Sequence, residues 1–248
     1  MSHGLHNRIR RTIVLLAAVT VLLLMLGACT SADKNLTPEP APTAVVTPTP
    51  PFRNPVETNL HALAEPVSPI FLGHRQNVWN LAKDNPITQT VSGDGGTDGW
   101  FRFLWEEDAV YVLGRVNDNT FDTGAEDVYE RDSVVIYINE DGRKNLRYAV
   151  GDAFYAVDRS GRGYVGRGGA EEGFVCSVYE DPEAKGNAYY AEFRIPLRSV
   201  TGRYDREIGF DVRINNAFEG ECVHVVQWAD TSGKTEITMT GVGTVRMD

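Results

Sequence analysis

The chain has 248 residues, 42% of them hydrophobic and 23% charged, with a formal net charge of -10. That length holds one ordinary domain with tails. The acidic balance repels phosphate backbones, which excludes nucleic acid as a partner class, and it opposes electrostatic adsorption to anionic lipid.

In chain order, Arg8, Arg10 and Arg11 precede an apolar run from Ile13 to Leu26, which ends in Leu26-Gly27-Ala28-Cys29. A basic start, a short apolar stretch and small residues at a cut make a secretory signal. About 14 apolar residues fall short of the ~20 that span a bilayer. The tetrapeptide resembles the bacterial lipobox, in which the cysteine is lipidated and becomes the mature N-terminus. The expectation is a lipoprotein signal peptide over residues 1–28 and lipidation at Cys29. The product is then exported and extracytoplasmic, anchored to a membrane by acyl chains. Residues 29–55 form a Pro/Thr-rich linker. Thr37-Pro38-Glu39-Pro40-Ala41-Pro42 and Thr47-Pro48-Thr49-Pro50-Pro51 lack periodicity, so this segment stays extended and unfolded.

The folded domain is expected over residues 56–248 and reads as short strands. Phe101–Trp105 turns through Glu106-Glu107-Asp108 into Ala109–Val116, and Asn117-Asp118-Asn119 is a turn. Ser133–Ile138 is rich in β-branched residues and ends at Asn139-Glu140-Asp141-Gly142, a strong turn signal. Ala153–Val157, Phe174–Tyr179 and Ala188–Ile195 follow, and Pro196–Val200 fits one helical turn. Ile208–Asn215 alternates, with Ile208, Phe210, Val212 and Ile214 on one side and Gly209, Asp211, Arg213 and Asn215 on the other. Cys222–Trp228 and Val242–Met247 complete the set. Turns every 8–15 residues or so and no amphipathic helix of three turns argue an all-β fold, an antiparallel, jelly-roll-like β-sandwich.

Two thiols besides Cys29, at Cys176 and Cys222, are candidates for one disulfide in an exported chain, or for two buried apolar residues. Catalysis has little support. His61, His74 and His224 lack zinc-site spacing, and no Gly-x-Ser-x-Gly surrounds Ser133. Gly161–Gly169 lacks the Lys-Ser/Thr pair of a phosphate loop and reads as a hairpin loop.

The order of several segments resembles the family 9 carbohydrate-binding module. These are Ser68-Pro69-Ile70 with Val78-Trp79-Asn80-Leu81, then Phe101–Val112, then Tyr129-Glu130-Arg131-Asp132-Ser133-Val134. Further on come Ala191–Leu197, Ile208–Asn215 and Gln227-Trp228-Ala229-Asp230. The resemblance spans roughly residues 65–248. It implies a sandwich that binds glycans without cleaving them, clamping a sugar between two tryptophans while polar groups read its hydroxyls. Pyranose C–H faces stack on aromatic rings, and hydroxyls need placed donors and acceptors. Here the first clamp position is Tyr129. The loop of the second, Thr231–Glu236, has no aromatic residue, and Val135 replaces an expected glutamate. Ligand-binding candidates are Tyr129, Arg131, Arg147, Trp100 after the glycine-rich run Ser92–Gly99, and Trp228, for which core packing is the alternative. Family members can carry structural calcium, and Asn117, Asp118 and Asp122 offer oxygen ligands or, as the alternative, satisfy turn backbone. Two functions follow: non-catalytic binding of a polysaccharide or oligosaccharide, or an envelope protein-interaction module with a degenerate sugar site.

Overall fold

Strands whose side chains alternate across the backbone bury one face at a time, and here thirteen of them occur in a computed structural model that describes residues 59–64 and 77–248. They are β1 (Asn59–Ala64), β2 (Asn85–Ile87), β3 (Gln89–Gly93), β4 (Asp98–Trp105), β5 (Ala109–Asn117), β6 (Ser133–Asn139) and β7 (Asp152–Asp158). The rest are β8 (Gly163–Val165), β9 (Val175–Glu180), β10 (Ala188–Pro196), β11 (Glu207–Phe218), β12 (Glu221–Gln227) and β13 (Gly243–Met247). Two 3-10 turns, Asn77–Leu81 and Val128–Glu130, are the helical elements among the described residues. No helix there is long and apolar enough to cross a membrane. The expected signal peptide over residues 1–28, Cys29 and the expected linker over 29–55 lie outside the described residues.

The first sheet runs β8-β7-β6-β11. Past β11 it forks, to β13 along Glu207–Phe210 and to β12 along Arg213–Phe218, with β3 beyond β12. The second sheet runs β9-β10-β5-β4-β2. Pairing is antiparallel throughout these ladders. β1 is the exception: it pairs in parallel with β13 through Asn59–Ala62 and with β4 through Leu63–Ala64, and so belongs to both sheets. The molecule is the antiparallel sandwich expected from the strand pattern.

The core between the sheets takes Val134, Ile136 and Ile138 of β6, Phe210, Val212 and Ile214 of β11, and Phe101, Phe103, Val110 and Val112 of the opposite sheet. Trp228 is buried in this core, its ring 5.1 Å from Phe101 and 6.1 Å from Phe210. Both outer faces are also partly covered. Trp79 of the first 3-10 turn lies with Leu104, Tyr111, Leu113 and Tyr190 on the second sheet. Val128, Met239 and Val242 lie with Val135, Tyr137 and Ala156 on the first. This double coverage explains why β6 reads as a nearly continuous apolar run and not as strict alternation.

Three local expectations are corrected. Pro196–Val200 is a bend at the end of β10 and not a helical turn, because Glu140 takes its N–H groups: the carboxylate accepts from Arg198 N and from Ser199 N and Oγ. The glycine-rich 161–169 stretch carries the short strand β8. Cys176 and Cys222 are free thiols. Cys176 sits on β9, which faces β7 and β8, whereas Cys222 sits on β12 at the other side of the first sheet. Three strand spacings of ~4.8 Å separate β7 from β12, well beyond the ~7 Å a disulfide tolerates.

Candidate functional site

Tyr129 occupies the middle of the Val128–Glu130 turn, which is pinned in several places. The Asp127 carboxylate caps it, accepting from Tyr129 N at 3.0 Å. Val128 is buried, and its carbonyl accepts from Ser133 Oγ at 2.7 Å. The Glu130 carboxylate accepts from Cys222 N at 2.7 Å. Capping and burial together fix the backbone, so the half-buried Tyr129 ring projects over the outer face of the first sheet.

On that face the register places Tyr137 opposite Phe154, and Val135 between Ala156 and Arg213. The Tyr129 ring lies 5.9 Å from Phe154, and Phe154 lies 6.1 Å from Tyr137. The Tyr137 and Tyr129 hydroxyls are 3.4 Å apart. Arg213 covers one face of Tyr129, its guanidinium carbon 5.0 Å from the ring centre. Arg213 is steered by Asn215 Oδ1 at 2.6 Å and Glu236 Oε1 at 2.7 Å. Glu236 comes from the loop in which a second clamp aromatic was expected, so that loop supplies a carboxylate instead. Burial pushes the Tyr129 hydroxyl up to about 12 and raises Tyr137 well above the ordinary phenol. Both therefore stay neutral and can donate and accept.

Beside this platform lies a cleft of about 610 Å³, lined by Tyr148, Val150, Asp152, Arg167, Arg198 and Ser199 among others. Tyr148 belongs to the same apolar cluster as Tyr129, and its hydroxyl donates to Thr235 O at 2.8 Å. Ring faces, guanidinium donors and neutral hydroxyls on one rigid sheet face are groups that hold a polyol.

The sequence-predicted residues scatter. Tyr129 is on this face. Arg147 is exposed in the loop leading to Tyr148. Arg131 is buried: it donates to Asp158 at 2.8 Å and to the Tyr164 hydroxyl at 2.7 Å, and its Nε has no partner. That guanidinium is a prop under the face and is not free to read a ligand. Trp100 lies on the outer face of the opposite sheet, 6.1 Å from Tyr190 and beneath Arg102. Trp228 is core, as its alternative held. The proposed calcium ligands are committed to protein donors. Asn117 Oδ1 accepts from Arg115. Asp118 takes Thr120 N and Oγ1 and pairs with Arg159. Asp122 takes Gly124 N and Gly220 N, and these backbone donors, that of Gly220 foremost, hold its carboxyl below the ordinary aspartate range. Among the described residues no three His, Cys, Asp or Glu side chains converge on a metal position. Phe154, Tyr148, Arg167, Arg213 and Glu236 were not singled out from sequence. Of these, the alternation of β11 marks Arg213 as outward, but nothing local ties it to Tyr129.

A family model described as "Carbohydrate family 9 binding domain-like" matches residues 73–247. Endo-1,4-beta-xylanase A of Thermoanaerobacterium saccharolyticum is 27% identical over 177 residues, covering 71% of this chain and 15% of that protein. Exoglucanase XynX of Acetivibrio thermocellus is 27% identical over 177 residues, covering 71% and 16% respectively. The chain thus spans a small part of the curated relatives it matches. Among solved structures, a carbohydrate binding module family 9 from Caldicellulosiruptor kristjanssonii in complex with cellotriose superposes with a TM-score of 0.70 at 22% identity. The match covers 77% of this chain and 93% of that one. The glucose complex of the module from the same organism gives the same score and identity. These structural likenesses establish the fold.

Proposed function

Because the chain belongs to the carbohydrate family 9 binding domain-like family, we propose that it binds a carbohydrate without cleaving it, as an exported lipoprotein held to a membrane through Cys29. The binding surface is the outer face of the first sheet. The observation that carries the reading is the half-buried Tyr129, braced by Phe154 and topped by Arg213, on the sheet face of a sandwich whose solved relatives hold cellotriose and glucose. A ring face and a guanidinium meet the two halves of a sugar's chemistry, its C–H face and its hydroxyls. Arg213 Nη2 has no protein acceptor among the described residues and is free to serve a hydroxyl. Calorimetric titration of the full chain with cellotriose, xylotriose and chitotriose tests this. Heat from at least one of them, lost in Tyr129→Ala, is expected; silence across all three and a wider glycan array overturns it.

A second reading, an envelope protein-interaction module, is favoured by one observation. Arg213 occupies a Tyr129 face that a sugar would need, and the loop 231–236 offers no opposing ring. A stoichiometric partner crosslinked to this face in membranes, with glycan titrations silent, would select it.

A further inference from the structure

Resting on the glycan-binding reading, we infer that the cleft beside Tyr148 is a subsite for an anionic sugar, one bearing a carboxylate or a sulfate ester. The chain is acidic overall, and its arginines are mostly neutralised by carboxylates. Arg102, Arg115, Arg131, Arg159 and Arg213 all sit within ion-pair distance of one. Arg167 and Arg198 line the cleft, and neither has a carboxylate partner among the described residues.

Both are nevertheless placed. The Arg167 guanidinium lies 5.1 Å from the centre of the Tyr148 ring. Arg198 donates through Nη1 to Gly168 O, and its backbone N–H is fixed 3.1 Å from Glu140. A guanidinium held on a ring face or by a carbonyl keeps its other N–H groups in a planar fork, which matches an oxyanion. The cleft's own carboxylate, Asp152, does not quench them. It is fully buried, and its oxygens accept from Asn139 Nδ2 at 2.5 Å, Asn145 Nδ2 at 3.2 Å and Ala149 N at 2.8 Å. Arg147, one residue before Tyr148, is a further exposed cation in the loop that leads to the cleft. The volume of about 610 Å³ lies inside the roughly 300–1,000 Å³ of small-molecule sites. Tyr148 connects the cleft to the Tyr129 platform through the shared apolar cluster. A glycan lying on the platform therefore directs its next residue toward two uncompensated positive charges.

The test titrates the full chain with trigalacturonate, its methyl ester, a sulfated galactan trisaccharide and cellotriose, at low and high salt. At least one charged ligand should bind about tenfold more tightly than its neutral counterpart, roughly the effect of one charge-assisted contact. That advantage should shrink with salt and vanish in Arg167→Gln/Arg198→Gln, whose loss of affinity for the charged ligand should exceed any change in cellotriose affinity. The two charged arms tell carboxylate from sulfate. Equal affinity for charged and neutral ligands, or a double variant that keeps the preference, overturns the anionic subsite while neutral glycan binding stands. No binding of any sugar overturns the glycan-binding reading itself and the subsite with it.

Discussion

Gly166→Ala is expected to unseat the aromatic platform. A Cβ at Gly166 would lie 1.9 Å from Phe154 Cε2 and 2.0 Å from its Cζ, distances that real atoms do not share. The backbone cannot retreat freely, because Gly166 N–H donates to Phe154 O at 3.0 Å. Nor is the position in the left-handed region, so alanine brings no backbone strain of its own. The Phe154 ring must move, and being half-buried it has solvent to move into. It then forfeits its contacts with Tyr129 and Tyr137, each worth ~0.5–1.5 kcal/mol beyond burial. Some apolar area is lost as well, at ~25 cal/mol per Å². The total is about 2 kcal/mol, or about 4–8 °C in melting temperature for a domain of this size. Urea and thermal unfolding of the full chain, followed by tryptophan fluorescence, measure it. The decisive comparison is a double-mutant cycle: in a Phe154→Ala background the Gly166→Ala change should cost less than ~0.5 kcal/mol. Equal costs in both backgrounds, or no cost in the parent, would refute the clash as the cause.

Other outcomes follow from buried charge and thiols. Burial raises Glu192 to about 7, against the opposing hydrogen bonds from Trp79 and Tyr179. An acid whose folded value lies above its unfolded one loses stability as pH rises, here between about 4.5 and about 7. Glu192→Gln should therefore flatten part of that slope and stabilise the protein at pH 8 by ~1–3 kcal/mol, read by urea titration at several pH values; an unchanged slope would count against it. Burial raises Asp211 to about 7 and Asp132 to about 6, so they add to the same slope. Arg131→Ala should destabilise by ~1–3 kcal/mol, because buried Asp158 loses its guanidinium partner while Ser160, Arg162 and Tyr164 still donate to it. A variant that keeps its melting temperature and loses only glycan affinity would reverse that assignment. Reductant should leave the melting temperature unchanged, since Cys176 and Cys222 are unbridged; a drop of several degrees would reveal a bond. Palmitate labelling in the producing cell should mark the wild-type chain and not Cys29→Ser, and label on both would rule Cys29 out as the attachment point.

The strands that alternate or carry apolar runs, β4 to β7 and β9 to β13, were legible because each buries a face. The short strands β2, β3 and β8 were not. Asn85-Pro86-Ile87 and Gly163-Tyr164-Val165 are three residues long, at sheet edges, with little to bury. At the site, motif order located Tyr129, but residue type could not tell which side of a sheet a ring takes. Trp228 went inward and Trp100 to the far face for that reason. Arg131 shows the same limit for charge. Its partner Asp158 lies 27 positions away, and only the pairing of β6 with β7, Ser133 opposite Asp158, brings them together. Arg213 and Glu236 likewise meet Tyr129 through register and loop closure, which no local pattern encodes.

β1 is six residues long, yet it seals two ladders at once, β13 on one side and β4 on the other. A fragment begun at residue 73, where the family match starts, would leave both ladders with naked hydrogen-bonding rims. Such rims recruit neighbouring chains. Trimming close to the motif thus invites clumping, and a protease cutting beyond residue 64 would strip the same seal from the intact molecule.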